Sequence, residues 1–542
     1  MKSIITVLTI AFLLGSCGRN NVDLIIHNAS IYTVNEDFEI ASAIAIKDGK
    51  FVAVGEEEIL ERYTANATLD VKGVPIYPGF IDAHCHFYAL GMGLDQADLR
   101  GAKSVDEIIT RLQKLASSSQ GDVLLGRGWD QNLWEKKEFP AKEALDAAFP
   151  DKMVILERVD GHATYVNSKV LNAAGITADT AIAGGEVILV NGEPSGVLID
   201  NASTLAYNVL PKSPRSKEIR ALKKAEEIAF SYGLTTVDDA GLNQAELSLI
   251  DSLHQTKDLK IRVYGMISNT PENLAYYLEK GIYQSDRLTI RSVKVYADGA
   301  LGSRGAALLE PYEDDKSNKG LFITPADQIQ SLAMKLADKG FQMNTHAIGD
   351  AANQVVLQAY ANALEDKKDP RWRVEHAQVV TRKDIELFGS KVIPSVQPTH
   401  ATSDMEWADE RLGDKRVKTA YTYKDLLDWS GKLALGTDFP VEEVDPLNTF
   451  YAAVARKNKI GDPSGGYQMK NALSRSEALK GMTIWAAYAN FEEDQKGSIE
   501  VGKVADFVLM SKDIMAISET KILDSQVLAT FLEGEMVFQM KK

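Results

Sequence analysis

Two histidines separated by one residue end an apolar segment near the start of the chain. His84 and His86 follow the residues Gly79-Phe80-Ile81-Asp82. Because alternate residues of a strand share a face, both imidazoles point to the same side and can hold a metal ion together. Four further residues with metal-binding or proton-transferring side chains lie on or at the end of later apolar segments: Lys294, His346, His376 and Asp438. Four of the eight histidines therefore lie at the ends of predicted strands.

These side chains need a scaffold that brings distant strand ends together. Eight apolar, strand-like segments alternate with helical stretches, at 76–84, 234–239, 261–267, 293–298, 341–346, 372–376, 392–397 and 433–438. Alternating strands and helices are typical of a parallel α/β architecture, and eight such units close a barrel. Active sites of these barrels lie at the carboxyl ends of the strands. The predicted fold is therefore an α/β, (β/α)8 TIM-like barrel over 76–494.

Two parts of the chain do not fit the barrel repeat. Residues 87–214 are too many for one helix, and they contain strands of their own, so we expect an inserted lid subdomain that selects the substrate. Residues 23–75 and 495–542 are rich in alternating apolar and polar residues. Asp48-Gly49 between two such runs is a hairpin signal. We therefore predict one composite β-sandwich built from both termini.

The N-terminus has the pattern of a targeting segment. Lys2 precedes an apolar run that is too short to span a membrane and ends in Leu14-Gly15-Ser16-Cys17. This ending resembles a bacterial lipobox, which predicts a signal peptide over 1–16, a lipid on Cys17 and a tether over 17–22. The expected location is the bacterial cell envelope, with a lipid anchor in the membrane. An ordinary cleaved signal peptide is the alternative.

Composition narrows the class of protein. Apolar residues make up 45% and charged residues 25% of the 542 residues, values typical of a soluble globular protein. The formal net charge of −16 argues against a nucleic-acid partner, because binding to phosphates needs a basic surface. The chain has two cysteines, too few for a disulfide framework.

Several motifs, taken in order, resemble one enzyme family. They are Pro78-Gly79-Phe80-Ile81-Asp82, the Lys294 segment with Asp298-Gly299, His346-Ala347-Ile348-Gly349-Asp350, and Gly502-Lys503-Val504-Ala505-Asp506-Phe507. The sequence resembles the amidohydrolase superfamily, specifically the amidohydrolase-3 group that includes N-substituted formamide deformylases. This resemblance covers nearly the whole chain after Cys17. It implies a metal-binding set of His84, His86, Lys294, His346, His376 and Asp438.

The chemistry of these groups is consistent with hydrolysis. Nitrogen and oxygen ligands suit zinc, as one or two ions, although other divalent metals also fit. A desolvated Lys294 can lose its proton and capture CO2, and the resulting carbamate can bridge two metals. In the alternative, Lys294 stays unmodified and pairs with Asp298, which favours one metal. Asp438 is expected to act as general base and then as general acid.

Four residues outside the metal set are candidates for substrate binding. His162 and His400 lie in loops expected to face the site, Arg304 follows the fourth predicted strand, and Trp129 lies in the insertion. Packing is the alternative role for both histidines and for Trp129. Cys85 alternates with the histidines, so we expect it to be buried on the other face.

The predicted function is hydrolysis of a C–N bond in a small, non-peptide amide or formamide. A deaminase or a lactonase on the same scaffold is the first alternative. A solute-binding lipoprotein without catalysis is a second, but it would have no use for Asp438 beside a metal. The expected partners are a small-molecule substrate and a membrane lipid anchor, and a homodimer is left open.

Overall fold

The structure is a computed structural model that describes residues 20–118 and 121–541. The expected signal peptide and the lipid site at Cys17 lie outside the described residues. Within the described residues, no helix is long and apolar enough to cross a membrane.

Eight parallel strands form the barrel, as predicted. They span Phe80–Cys85, Leu234–Leu242, Arg262–Ser268, Leu288–Tyr296, Gln342–Ala347, Trp372–His376, Val392–Val396 and Ala434–Leu435. Each strand pairs in parallel with the next one along the chain. The loop after the eighth strand meets the first strand: the Asp438 backbone N–H donates to the His84 carbonyl (2.8 Å), and the His86 N–H donates to the Phe439 carbonyl (2.8 Å). These bonds bring Asp438 beside the two histidines.

Helices connect the strands. The α-helices span Ile59–Arg62, Phe87–Gly93, Val105–Ser118, Glu143–Ala148, Ser168–Ala174, Asn201–Tyr207, Arg215–Ser231, Gln244–Gln255, Pro271–Lys280, Ala326–Lys339, Asp350–Ala363, Pro398–Asp404, Ala408–Arg416, Tyr423–Ser430, Pro446–Ala455, Arg475–Gly481 and Ile484–Ala489. Short 3-10 helices span Gln131–Leu133, Ile385–Leu387, Gly389–Lys391, Val417–Thr419, Met469–Asn471 and Glu519–Asp524. A short strand, Tyr283–Gln284, pairs with the fourth barrel strand.

Two further sheets contain the terminal strands. The four-stranded sheet has the order Lys50–Gly55, Ala43–Lys47, Asn20–His27, Tyr63–Asp70. The six-stranded sheet has the order Glu535–Gln539, Val527–Leu532, Phe507–Met510, Pro75–Pro78, Ser30–Tyr32, Ile40–Ala41, and so combines both ends of the chain. One apolar core contains residues of both sheets, among them Ile44 and Phe51 from one and the stacked rings of Phe507 and Phe531 from the other.

Two expected boundaries differ from the structure. The first strand begins at Asn20, so residues 20–22 of the expected tether pair with 63–65 instead. Residues 76–78, expected at the start of the first barrel strand, belong to the strand Pro75–Pro78 and pair with 507–509 in the six-stranded sheet. Gly79 separates the two strands: a Cβ there would lie 2.3 Å from Thr235 Oγ1, so the chain needs glycine where it enters the barrel.

The insertion forms its own sheet. Its order is Gly185–Val190, Glu193–Asp200, Ala163–Val166, Met153–Arg158, Val123–Trp129, Ala97–Asp98. The first two strands are joined by Asn191-Gly192, whose positive φ values (53° and 82°) are those a tight hairpin turn requires. A separate apolar core, which includes Leu124, Trp129 and Tyr165, supports this sheet.

Candidate metal centre

Three buried donors meet at the carboxyl end of the barrel. A nitrogen of His84, a nitrogen of His376 and a carboxylate oxygen of Asp438 all lie within 4.8 Å of one another. These residues come from the first strand, the sixth strand and the loop after the eighth. The barrel therefore assembles donors that are up to 354 positions apart along the sequence.

Hydrogen bonds fix the orientation of the two imidazoles. His84 Nδ1 lies 2.5 Å from Glu375 Oε2, and His376 Nδ1 lies 2.7 Å from Gln397 Oε1. When each Nδ1 carries the proton, each Nε2 keeps a lone pair available for a metal. Burial, aided by nearby Lys294, lowers the pKa of His84 to about 4, and burial holds the pKa of His376 well below its usual range.

Asp438 is held in an unusual backbone conformation. Its φ of 64° lies in the left-handed region, as does that of His376 at 71°. Non-glycine residues in this region cost about 1–3 kcal/mol and cluster at functional sites. Asp438 Oδ2 lies 3.2 Å from His400 Nε2, and Oδ1 lies 3.1 Å from His86 Nε2. Burial raises the pKa of Asp438, but His400 and His86 outweigh it and hold the pKa well below its usual range.

Lys294 and His346 lie beside these donors. Lys294 Nζ lies 3.2 Å from His84 Nε2, and burial lowers the pKa of Lys294 to about 8. The His346 ring centroid lies 4.5 Å from that of His376, and its Nε2 lies 3.4 Å from the Gly299 carbonyl oxygen. Burial holds the pKa of His346 well below its usual range, so this imidazole is also neutral.

The alternative partner for Lys294 is corrected by the structure. The Asp298 carboxylate accepts hydrogen bonds from the backbone N–H groups of Ile348 (3.0 Å), Gly349 (2.8 Å) and Ala307 (2.9 Å). Among the described residues, no ion pair joins Asp298 to Lys294. Asp298 instead fixes the loop after the fifth strand. Its carboxylate oxygens accept from two backbone N–H groups of that loop and from Ala307 in the loop after the fourth strand.

The donor set fits a divalent metal. Asp438 Oδ1 is buried and, within the described chain, forms no hydrogen bond, although His86 Nε2 and His84 Nε2 lie 3.1 Å and 3.6 Å away. Imidazole nitrogens that converge on a buried carboxylate oxygen without hydrogen-bond geometry are the arrangement expected around a cation. The absence of a thiolate suits zinc and harder divalent ions.

A cavity of about 620 Å³ opens above the donors. His162 and His400, both predicted to face the site, line it. His162 Nδ1 lies 2.6 Å from Asp200 Oδ1, and His400 Nδ1 lies 3.2 Å from Glu442 Oε1. Burial lowers the pKa of His400, yet Asp438 and Glu442 outweigh it and raise the pKa to about 10. The cavity is therefore lined by charged hydrogen-bond donors as well as by neutral imidazoles.

Two predicted substrate-binding residues are not brought to the cavity. Trp129 is fully buried in the core of the insertion, where Nε1 donates to the Leu156 carbonyl (2.8 Å). Its ring packs against Trp134 and Tyr165. The Arg304 side chain turns away to pair with Asp314 (2.8 Å). Neither residue is among those that line the cavity.

Sequence reasoning missed three residues that shape the site. Glu375 and Gln397 orient His84 and His376, and Arg158 lines the cavity between Asp130 and Asp160. Glu375 had a signal, because it directly precedes His376 on the sixth strand. Arg158 had none, since no pattern in the insertion fixed which side chains turn towards the barrel.

Comparison with known proteins identifies the family. Residues 67–538 match the profile of the Amidohydrolase family. The chain belongs to this family. It is 32% identical to the Arabidopsis thaliana protein LONG AFTER FAR-RED 3 over 95% of this chain and 91% of that protein. It is also 32% identical to YtcJ of Bacillus subtilis (strain 168), over 95% and 99% respectively.

One enzyme and one solved structure complete the comparison. N-substituted formamide deformylase of Arthrobacter pascens is 24% identical over 95% of this chain and 98% of the enzyme. A metal-dependent hydrolase from Pyrococcus horikoshii OT3, described as uncharacterized, aligns with a TM-score of 0.74 and 30% identity over 92% of this chain and 99% of that chain. The family, this structural neighbour and the His84–His376–Asp438 donor set support hydrolase activity that depends on a divalent metal.

Proposed function

We propose that the protein hydrolyses a C–N bond in a small, non-peptide amide or formamide. The observation that carries this proposal is the convergence of His84, His376 and Asp438 on one point at the base of a cavity. The similarity to N-substituted formamide deformylase supports the choice of bond. A cavity of about 620 Å³ suits a small molecule better than a folded protein substrate.

His84, His376 and Asp438 would hold the metal, for which we propose zinc, with His86, His346 and Lys294 beside them. A divalent metal bound there would lower the pKa of a water molecule and polarise the substrate carbonyl. The protein's contribution is to hold the imidazoles neutral and correctly oriented. Glu375 and Gln397 do this through the two Nδ1 atoms.

We propose that Asp438 moves the proton. His400 and His86 keep its carboxylate ionised, so Asp438 can accept a proton from the attacking water. Oδ2 lies beside His400, which leaves Oδ1 as the oxygen that faces the other donors. The same carboxyl group then donates the proton to the leaving nitrogen, which departs as a neutral amine.

We further propose that Lys294 reacts with CO2. The lowered pKa gives Lys294 a larger neutral fraction than a solvent-exposed lysine has at neutral pH. The amine nitrogen would form a bond to the CO2 carbon and release one proton to solvent, which yields a carbamate. Such a group would add an anionic oxygen donor beside His84 and allow a second metal. Labelling with isotopic bicarbonate tests this step, and an unlabelled Lys294 in the active enzyme would rule it out.

We propose that the insertion is a lid that selects substrates. It supplies Arg158, His162 and Asp200 to the cavity. His162, held through Nδ1 by Asp200, presents its other ring nitrogen to bind the substrate carbonyl or amide. Because Arg158 is paired with two carboxylates, this part of the wall keeps a net negative charge and disfavours an anionic N-substituent.

A metal-dependence assay with a matched set of substrates tests the proposed function. Purified protein is stripped with a chelator, reloaded with zinc, and supplied with N-substituted formamides, simple amides, lactones and adenine. We expect activity only after metal is restored, with formamides or amides turned over fastest. Preference for lactones would indicate that the enzyme hydrolyses C–O bonds instead. Release of ammonia from adenine would indicate a deaminase.

Two further proposals concern the cell rather than the reaction. We propose that Cys17 carries lipid and anchors the protein in a bacterial envelope, because Leu14-Gly15-Ser16-Cys17 matches a lipobox. Membrane fractionation of the full chain and of Cys17→Ser tests this, and an unchanged distribution of the variant would refute it. We also propose a homodimer, which sedimentation of the purified protein would reveal or exclude.

A further inference from the structure

One buried arginine differs from the others in this protein. Among the described residues, four arginine side chains are less than 2% exposed: Arg158, Arg373, Arg411 and Arg456. Three of them pair with buried or partly buried carboxylates, supplied by Asp130 and Asp160, Asp238, and Asp314. Arg456 has no carboxylate partner in the described chain.

The Arg456 guanidinium contacts a backbone carbonyl and two tyrosine rings. Its Nε donates to the Tyr467 carbonyl (2.9 Å), while both terminal nitrogens are buried without a hydrogen-bond partner in the described chain. The guanidinium carbon lies 5.0 Å from the Tyr423 ring centroid and 5.7 Å from that of Tyr467. These rings stabilise the cation only in part, because cation–π contacts contribute about 0.5–2 kcal/mol each.

One of the two tyrosines that contact this arginine also has a polar atom without a partner. The Tyr467 hydroxyl is buried and, within the described residues, forms no hydrogen bond. Buried polar atoms are normally satisfied, so a buried cation with two unpartnered nitrogens needs an explanation.

We propose that Arg456 is the centre of an enclosed site for a small monovalent anion, such as chloride or formate. An arginine cannot escape burial by losing its proton. A buried charge without a counter-charge is strongly unfavourable, and the other three buried arginines each have one. An anion beside the two terminal nitrogens supplies the missing charge and accepts from the donors that remain, including the Tyr467 hydroxyl.

The site lies behind the metal centre. The Tyr423 hydroxyl donates to the Gln397 carbonyl (3.0 Å), and the Gln397 side chain holds His376. An anion at Arg456 would therefore stabilise the helix and loop that support the seventh strand end. It would bind independently of the substrate, so this proposal does not depend on the proposed reaction.

Thermal unfolding of the zinc-loaded full chain at constant ionic strength tests the proposal. Sodium gluconate, too large for an enclosed site, is replaced stepwise by sodium chloride or by sodium formate. We expect a saturable rise in melting temperature of about 1–3 °C with one or both small anions. Equal curves in all three salts would overturn the proposal. The chloride and formate arms show which anion the site takes.

Two further measurements separate a specific site from a general salt effect. Arg456→Met should abolish the saturable rise, whereas Arg411→Met, which removes a buried arginine with a carboxylate partner, should keep it. If Arg456→Met does not fold, a crystal of the wild-type protein soaked in bromide gives an independent answer. An anomalous peak beside the terminal nitrogens of Arg456 is expected, and water alone at that position would contradict the proposal.

Discussion

The barrel and the insertion contribute different chemistry to the same cavity. The barrel supplies neutral imidazoles such as His84, which Glu375 holds, together with the Asp438 carboxylate and the His400 cation beside it. The insertion supplies ion pairs that are already complete, such as Arg158 with Asp130 and Asp160. The difference suggests that the barrel carries out the reaction and the insertion shapes what can enter. Four predictions test this division, beginning with the largest expected effect.

Asp438→Asn should abolish turnover while the metal remains bound. The amide can still offer an oxygen to the metal, but it cannot accept a proton, so kcat should fall by about 10²–10⁴-fold. Steady-state kinetics together with metal analysis check both parts. Glu443→Gln, an exposed change five positions away, is the matched control and should keep full activity. Full activity of Asp438→Asn would remove this residue from the mechanism.

Arg158→Met should lower the free energy of unfolding by about 3–5 kcal/mol, because it leaves Asp130 and Asp160 beside an apolar side chain. The Arg304→Met change is the comparison, since its pair with Asp314 is partly exposed and is expected to contribute no more than about 1 kcal/mol. Chemical denaturation measures both. We also expect KM to change only in Arg158→Met, because only Arg158 lines the cavity. An equal change of KM in both variants would contradict this difference between the two arginines.

The stability of the metal-free protein should depend on pH through His84. Its folded pKa of about 4 lies below the usual value of 6.5, so the unfolded chain binds the proton first as pH falls. His84 therefore favours the folded state above about pH 6.5, and this contribution is lost as pH falls from 6.5 towards 4. Relative to His84→Gln, the wild type should lose up to about 1.4 kcal/mol per pH unit in that window. A constant difference between the two proteins would contradict this.

Glu375→Gln should weaken metal binding about 10–100-fold without unfolding the barrel. The neutral amide still reaches His84 Nδ1, but it no longer strengthens the lone pair on the other nitrogen. Competition with a chelator measures the affinity. Glu386→Gln, an exposed change on the outside of the barrel, is the control. If both variants bind metal equally well, Glu375 does not tune the centre.

The same two regions differ in how well the sequence predicted them. Strand periodicity put His84 and His86 on one face, and predicted strand ends pointed to His346, His376 and Asp438; the family resemblance then implied that these residues form one metal site. In the insertion, Trp129 was misplaced, because a large apolar ring fits a core as well as a cavity wall. The positive φ values of His376 and Asp438 could not be predicted from the residue pattern, since they depend on contacts between strands that are far apart in the chain.

The position of Arg456 shows another limit of sequence reasoning. An arginine after an apolar helix resembles a solvent-exposed C-terminal residue, and only the packing of Tyr423 and Tyr467 around it reveals that it is buried. Whether a buried charge has a counter-charge depends on residues that are close in space and are often far apart in the sequence. Such a site can be recognised only when the whole set of buried charges is compared.

Anomalous diffraction at the absorption edge of the bound metal tests the central claim most directly. With zinc-loaded crystals of active protein, we predict a peak bonded to His84, His376 and Asp438, and a second peak near His346 if Lys294 carries a carbamate. Active crystals with no metal at these three residues, or with metal bound only elsewhere, would contradict the account.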